Sequence, residues 1–548
     1  MKLEKLVAFT KTKTGIVSLF GLMIFVFVSA PLIACGTDVN AWPYWFHDHF
    51  FNTVQMSRNL LQNGTPSLDA ATPTNDFSVL HGGMTTLLSL IFSPHSAAFF
   101  IAFLLMTACA PVVSMILMNR LVEKLELHAP PTALFFANAF FLAFCLRLAS
   151  TGTDAAWAVP VVLVSASAYL KMLEKPSFAS GLLCGLSVCL CVLTRFDTLG
   201  FVASGAFIFY MQFNGKMPVT LKQVFHFLPG LIIGLLPAAG WEFFLYNRFG
   251  TPVPMTLTAW MQAQNMAPWK VFSVLMGRPA RHFLSSPAGI IFLTFPFIAV
   301  IAAAFDSIPK QARIHTPKDT VFYSLIWFPV LQIMFFAFFT HLNLPEYAYY
   351  PLAVALPFAL LYGTGRIDNR MKSDKDRTEI RKYWTVIGAM LLCLSLFSLL
   401  SPRFSILRPY ARAVSKLAKD KTGVYAIGTG AGTASYVANI PVVRTDGIGS
   451  DKQMAGLISQ QASLSEAFKK YGVSYYIMLN PVSSKGCYAA REPVENDKGG
   501  DNKGMSDWLC AEPVATERIS KRDTAALFVL DRNGKAVDPE NQNRADKE

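Results

Sequence analysis

The chain has 548 residues, of which 53% are hydrophobic and 15% charged, with a net charge of +13. A mean hydropathy of +0.38 excludes an ordinary soluble protein, which needs more polar surface at this length. The basic excess raises nucleic acid as a partner, and its distribution along the chain then excludes it.

Crossing a bilayer takes about 20 mainly apolar residues. Eleven segments approach that length: 15–35, 96–119, 131–149, 154–173, 177–194, 196–213, 224–246, 286–305, 319–341, 346–364 and 383–401. A shorter apolar stretch, 83–93, is expected to be re-entrant or interfacial. With the N-terminus in the cytoplasm, the inner loops collect Lys2, Lys5, Lys11 and Lys13, then Arg120 and Lys124, Lys171 and Lys175, and Lys216 and Lys222. They continue with Lys310, Arg313 and Lys318, and with seven cations in 365–382. The outward stretch 36–95 holds only Arg58. This is the positive-inside asymmetry, so the cations set orientation and meet anionic headgroups of the lipid bilayer; no nucleic acid is implied. "LIAC" at Leu32–Cys35 resembles a lipoprotein cleavage box, but the run from Gly15 exceeds the roughly 7–15 apolar residues of a signal core, so an uncleaved anchor is expected.

An odd number of spans places residues 402–548 on the outer face. The expected architecture is mainly α: a polytopic membrane helix bundle over 1–401, followed by a small extracytoplasmic α/β domain over 402–548. In that tail "RPYARAVSKLAKDKTG" reads as a basic helix, "GVYAIGTG", "VSYYIML" and "AALFVL" as strands, and "SLSEAFKKYG" as a helix. "GTGAGT" at 428–433 lacks the third glycine of a dinucleotide loop and is read as a tight strand-to-helix turn. Segment 492–506 and the end from 531 are polar enough to be flexible. Seven of nine cysteines lie in or beside apolar segments, while Cys487 and Cys510 lie in the tail, where an oxidising compartment favours a disulfide.

The outer face offers few polar groups. Asp48 lies in "WFHDHF", ahead of an amphipathic run from Phe50 to Leu61, with Trp42, Tyr44 and Trp45 as interfacial anchors. A carboxylate held there, partly desolvated, is expected to have a raised pKa and to act as a base. His47, Asp48, His49 and His81 are the alternative, a divalent metal set, because imidazole and carboxylate suit Zn²⁺ or Mn²⁺. Thr151–Asp154 forms a second outer turn, and Arg195 and Asp197 sit at a hairpin tip, where they either neutralise each other or belong to a site. Loop 247–285 carries Arg248, Lys270, Arg278, Arg281 and His282, cations suited to holding a phosphate that arrives from the lipid side. His341, Asn343, Glu346, Tyr347 and Tyr350 share a further outer turn.

The run "HDHFFNTVQMSRNLLQNGTP…HGGMTTLLSLI" resembles the first extracytoplasmic loop of GT-C fold glycosyltransferases, in the branch of the terminal arabinofuranosyltransferases. Asp48 falls on the first acid of that branch's pair, His49 replaces the second, and Arg58-Asn59-Leu60 matches its "RNL". "VLTRFDTLGFV" resembles its "TRPDG" hairpin, "RFGTPVPMTLTAW" its "YYGxxxPNT" segment, and "LPEYAYYPLAVALPFALL" its late Tyr-rich span. The resemblance implies a bacterial inner-membrane enzyme that moves a sugar from a polyprenyl-phosphate donor to an envelope glycan or lipid acceptor, with inversion and Asp48 as general base. The residues expected at the substrate site, from the outer loops and the resemblance together, are His49, Arg58, His81, Arg195, Asp197, Arg248, Arg278, Arg281, His341, Glu346 and Tyr347. No cofactor is certain, and a divalent metal stays open. The competing classes are a transporter or flippase of lipid-linked glycans, and a non-catalytic envelope-assembly protein. Polar groups gathered at one face, with no charge in mid-membrane, favour the enzyme over the transporter.

Overall fold

The computed structural model describes residues 13–213, 220–262, 295–307, 316–339, 346–371, 373, 378, 407–428, 430–492, 504–521 and 523–538. Among the described residues, the first part has thirteen α-helices: α1 Lys13–Cys35, α2 Asp48–Asn63, α3 Val79–Ile91, α4 Ala97–Lys124, α5 Pro131–Ala149, α6 Ala155–Glu174 and α7 Phe178–Thr194, then α8 Leu199–Phe213, α9 Leu221–Phe249, α10 Met255–Gln262, α11 Phe295–Ser307, α12 Pro317–Phe339 and α13 Tyr350–Arg370. Among the described residues four helices, α4, α5, α6 and α9, are long and apolar enough to cross a bilayer, and shorter apolar helices cover 20–35, 79–91, 178–194 and 196–210. The expected span 383–401 and part of 286–305 lie outside the described residues.

Burial separates the helices. α5 is almost wholly enclosed, whereas α9 exposes Phe225, Ile232, Ile233, Leu236, Phe243 and Phe244. An apolar surface of that extent on a long helix belongs against lipid, and the chain is a membrane protein. α9 is held to α7 by two small-residue pairs with four-residue spacing, Gly181/Gly185 and Gly230/Gly234. A Cβ on Gly230 would stand 2.0 Å from the Phe178 carbonyl oxygen, and one on Gly185 2.4 Å from that of Leu231. Such close backbone approach is the packing mode of helices in lipid, where burial of apolar surface supplies no drive of its own.

Residues 407–538 add α14 Leu407–Leu417, α15 Ala431–Ala438, α16 Lys452–Gln460 and α17 Leu464–Lys470, with strands β1 Tyr425–Ile427, β2 Val442–Arg444, β3 Tyr475–Leu479, β4 Ser483–Ser484, β5 Cys487–Glu492, β6 Met505–Leu509, β7 Ala515–Arg518, β8 Thr524–Leu530 and β9 Ala536–Val537. The main sheet runs β2-β1-β3-β8-β7, with β9 also on β8. β1 is parallel to β2 and β3, and β8 is antiparallel to β3. β1 and β8 are buried along nearly their whole length, which is why each reads as a continuous apolar run. A separate antiparallel sheet joins β4, β5 and β6. Cys487 and Cys510 form a disulfide at its end. Two stretches expected to be flexible are in part ordered: Met505 and Ser506 belong to β6, and β9 pairs Val529 with Val537.

The first outer segment differs from the expectation. Instead of lying on the membrane surface, α2 is sandwiched between the bundle and the C-terminal sheet unit, with nine buried residues including Asp48, Asn52, Gln55 and Asn59. Trp42 is fully buried, stacked on Phe100 at 5.2 Å between ring centroids, and is no interfacial anchor. Phe46, Phe50 and Phe103 continue this aromatic cluster under α2, with centroid distances of 4.5 Å for Phe46–Phe50 and Phe50–Phe103. From the other side α15 packs Tyr436 on Phe51 at 4.9 Å, and the Tyr436 hydroxyl donates to the Pro94 carbonyl at 2.7 Å.

Candidate active site

α2 begins where His47 caps it, its Nδ1 accepting from the His49 amide at 3.2 Å. Asp48 then points into the C-terminal unit. Its Oδ1 accepts from the Thr433 amide (2.7 Å) and hydroxyl (2.9 Å), and its Oδ2 pairs with Arg444 Nη1 at 2.8 Å. The same Nη1 donates to Asn52 Oδ1 at 2.8 Å, and Asp446 closes the guanidinium from its other side with Nε–Oδ1 at 3.0 Å and Nη2–Oδ2 at 2.5 Å. The glycine-rich turn read as a strand-to-helix connection is what receives Asp48, because Thr433 lies in the first turn of α15, where free amides and the helix dipole favour an anion. Gly432 is required for this approach: a Cβ there would stand 2.2 Å from Asn52 Oδ1 and 2.6 Å from the Asp48 carbonyl.

The electrostatics reverse the expected direction. Burial alone would push the Asp48 carboxyl up, but Arg444 and the Thr433 amide outweigh it and hold the group at about 2. A carboxylate so strongly held is a poor proton acceptor. His49 is half-buried, and its loss of hydration, reinforced by His47 and the Arg444 guanidinium nearby, pushes its pKa well below the ordinary histidine value.

Beside this network lies a cavity of about 230 Å³ at the junction of the bundle and the sheet unit. Asp48 is not part of its lining, whereas His49, Asn52, Asp76, His81, Asp154, Arg195, Asp197 and Glu242 are, along with Ile448 and Gly449 from the sheet unit. Asp76 sits at the start of α10. Both of its oxygens accept from the Thr256 amide at 3.0 Å and Oδ2 also accepts from the Thr256 hydroxyl, which in turn accepts from the Gly449 amide at 2.9 Å. Asn75 fixes the same junction, its Oδ1 accepting from the Met255 amide at 2.7 Å. Burial pushes the Asp76 carboxyl up to about 6 despite these donors. Ser78 ties the start of α3 to the end of α7, donating to the Thr194 carbonyl at 2.8 Å while accepting from the His81 amide at 3.4 Å. His81 and Arg195 are thereby set on adjoining walls.

Arg195 and Asp197 form a two-point pair, with Nε–Oδ1 at 2.9 Å and Nη2–Oδ2 at 2.8 Å. Arg195 also pairs with Asp154, and Asp197 receives Gln332 Nε2 (3.0 Å) and the Tyr350 hydroxyl (3.2 Å). Of the remaining expected site residues, Arg58 lies outside the cavity, donating to Asn439 at 2.7 Å, and Arg248 is exposed at the end of α9. Arg278, Arg281 and His341 lie outside the described residues, as do the side chains of Glu346 and Tyr347. The metal set His47, Asp48, His49 and His81 is not assembled: Asp48 turns to Arg444, and no group of three or more His, Cys, Asp or Glu converges among the described residues. Reading the sequence for a site passed over Asp76, Thr433, Arg444 and Asp446. The one available signal for Asp76 was its place in "TNDFS", a polar turn just before the apolar run of α3.

No family model and no curated protein matches the sequence. Among solved structures the chain is similar to ArnT from Cupriavidus metallidurans in the apo state, at 11% identity and a TM-score of 0.51, covering 85% of this chain and 93% of that one. It also matches the oligosaccharyltransferase AglB from Archaeoglobus fulgidus (10% identity, 84% and 69% covered, TM-score 0.47). A third match is the arabinofuranosyltransferase AftD from Mycobacteria (13% identity, 95% and 42% covered, TM-score 0.44). The AglB and AftD likenesses add nothing to the fold argument at those scores. The chain thus shares its fold with ArnT over 85% of its own length and 93% of that protein's.

Proposed function

We propose that this protein is an integral membrane glycosyltransferase that moves a sugar, with inversion, from a polyprenyl-phosphate donor to an envelope glycan or lipid acceptor. The observation that carries the reading is the carboxylate-lined cavity between the helical bundle and the sheet unit, in a fold shared with ArnT. ArnT is also known bound to undecaprenyl phosphate, which supports a polyprenyl phosphate as donor here. The remaining finer assignments are part of the same reading: eleven spans over 1–401, an N-terminus in the cytoplasm of a bacterium, and 402–548 outside the inner membrane.

The general base is Asp76. It faces the cavity, and at about 6 its pKa leaves it ionised at neutral pH yet basic enough to take a hydroxyl proton. As the acceptor oxygen attacks the anomeric carbon, its proton passes to Asp76 and the lipid phosphate departs with the bonding electrons. Asp48, implied as base by the sequence resemblance, instead fixes α2, so that the next residue, His49, faces the cavity. Loop 247–285 supplies the cations that receive the departing phosphate.

Comparing envelope glycans from cells with and without the gene tests the reading. A missing sugar, restored by the wild-type gene but not by Asp76→Asn at equal membrane abundance, is the expected result. Unchanged glycans in the deletion strain overturn the proposal, and substrate flux in vesicles without a lipid-linked sugar would point to a transporter.

A further inference from the structure

Three side chains of the cavity wall hold polar atoms that no other group satisfies among the described residues: Asn52 Nδ2, both ring nitrogens of His81, and Glu242 Oε2. Asn52 and His81 are each 1% exposed. The Gly152 backbone approaches His81 without meeting hydrogen-bond geometry. Native proteins pair the large majority of buried polar atoms, and an orphan is destabilising. These three come from different helices, α2, α3 and α9, and they converge on one cavity. Packing gives no reason for that convergence, whereas a bound polar ligand does.

The chemistry of the orphans defines the ligand. Asn52 Nδ2 donates, the Glu242 carboxylate accepts, and a neutral imidazole presents one donor and one acceptor. A partner for all three must both give and receive hydrogen bonds on several sides, as vicinal hydroxyls do. Charge narrows the class. The lining contains Asp76, Asp154, Asp197 and Glu242, against Arg195 as the one arginine or lysine among the described lining residues, and Arg195 is already paired with Asp154 and Asp197. A carboxylate or phosphate carried on the ring itself would face these four carboxylates with no unpaired arginine or lysine among the described lining residues. Trp241 stands beside Glu242 in the same wall, an apolar surface for the C–H face of a ring. At about 230 Å³ the space is smaller than a typical ligand cleft of ~300–1,000 Å³, a fit for one ring rather than an oligosaccharide. The wall also borders lipid, because Phe243 and Phe244, next to Glu242 on α9, are 66% and 52% exposed.

We infer that the cavity formed by Asn52, His81, Trp241 and Glu242 is the subsite for the sugar ring of the lipid-linked donor, and that it selects a ring with no negative charge, excluding uronic acids and phosphorylated sugars. The inference rests on the proposed glycosyl transfer and adds the class of sugar and the residues that select it.

The full-length protein in nanodiscs, probed by saturation-transfer NMR with methyl glucopyranoside, methyl arabinofuranoside and methyl glucuronoside, tests it. Saturation transfer to at least one neutral glycoside and none to the glucuronoside is expected. His81→Phe and Glu242→Leu should each weaken that binding at least about tenfold, with Tm unchanged or raised, because each removes an unsatisfied group. Binding of neither neutral glycoside, binding of the glucuronoside as strongly as the neutral ones, or undiminished binding in both variants overturns the inference. The two readings fail separately. If glycan transfer is established and both variants sustain it at the wild-type rate, the subsite is wrong and the transferase stands. If ring binding holds while envelope glycans are unchanged in the deletion strain, the reverse follows.

Discussion

Replacing Arg444 with methionine tests the junction that positions the cavity. The guanidinium side chain is 3% exposed and lies between Asp48 (10%) and Asp446 (4%), so removing it strands two buried carboxylates. Breaking a buried pair from one side costs about 3–5 kcal/mol. Asp48 keeps both Thr433 donors and Asp446 keeps the Ile448 amide, so the lower end, about 3 kcal/mol, is expected. For a unit of this size that corresponds to roughly 10 °C in Tm. Asp48→Asn should cost less, about 1–2 kcal/mol, since the amide oxygen still accepts from Thr433 and Arg444 keeps Asp446. The pH dependence has a definite sign. Asp48 is held at about 2, below its ordinary 3.8, so its contribution to stability is present above pH about 4 and is lost as the pH falls through about 2. The gap between wild type and Arg444→Met is therefore full at neutral pH and narrows in acid. Thermal unfolding of the protein in nanodiscs at both ends of that range reads it. A variant that melts within about 2 °C of wild type at neutral pH, or a gap that is constant with pH, refutes the reasoning.

Transfer by the wild type should fall below pH about 6, where Asp76 takes up its proton, with Asp76→Asn inactive at every pH; a rate level down to pH about 4.5 removes Asp76 as the base. Because that pKa lies above the ordinary 3.8, the group's stabilising contribution is complete below pH about 4 and lost as pH rises through about 6, so Asp76→Asn should melt no lower than wild type above pH 7. Gly230→Leu should separate α7 from α9 and lower Tm by several degrees, while Leu231→Ala should cost little; equal melting of the two variants contradicts the close approach of those helices. Cys487→Ser opens a link between residues 23 apart and should destabilise the sheet unit by about 3 kcal/mol, read as faster proteolysis of the tail.

What the sequence disclosed and what it withheld divide by range. Apolar helices are local: an apolar run of sufficient length needs no partner to be recognised, and helices α1, α4 to α9 and α11 to α13 overlap the segments so marked, four of them long and apolar enough to cross a bilayer among the described residues. Strands β1, β3 and β8 were legible for the same reason, being buried on both faces and apolar throughout. The environment of Asp48 is not local. Its partner Arg444 lies 396 residues away and its other donor, Thr433, 385 away, in a turn whose glycines suggested only tightness. Without those contacts, burial is the sole visible influence on the carboxyl, and burial alone has the opposite sign. The packing glycines of α7 and α9 went unread because a small residue in an apolar run has no signature until the facing helix is known.

The split between Asp48 and His49 follows from helix geometry. Adjacent residues on α2 project about 100° apart, and at the start of this helix the two face different neighbours. One member turns toward the sheet unit, the other toward the bundle. Here the acid turns to the cation of the sheet unit, and the imidazole lines the cavity. A second acid at position 49 would have stood in the cavity wall, beside Asp76 and Asp154, adding negative charge to a space that already has little to balance it. With histidine there, held neutral by desolvation and by the neighbouring Arg444, the carboxylate at Asp76 is spared a further like-charged neighbour. On this assignment His49→Asp should push the Asp76 pKa still higher by like-charge repulsion and move the acid limb of the rate profile upward. A profile unmoved by that substitution would separate position 49 from the reacting carboxylate and leave the cavity without its proposed base.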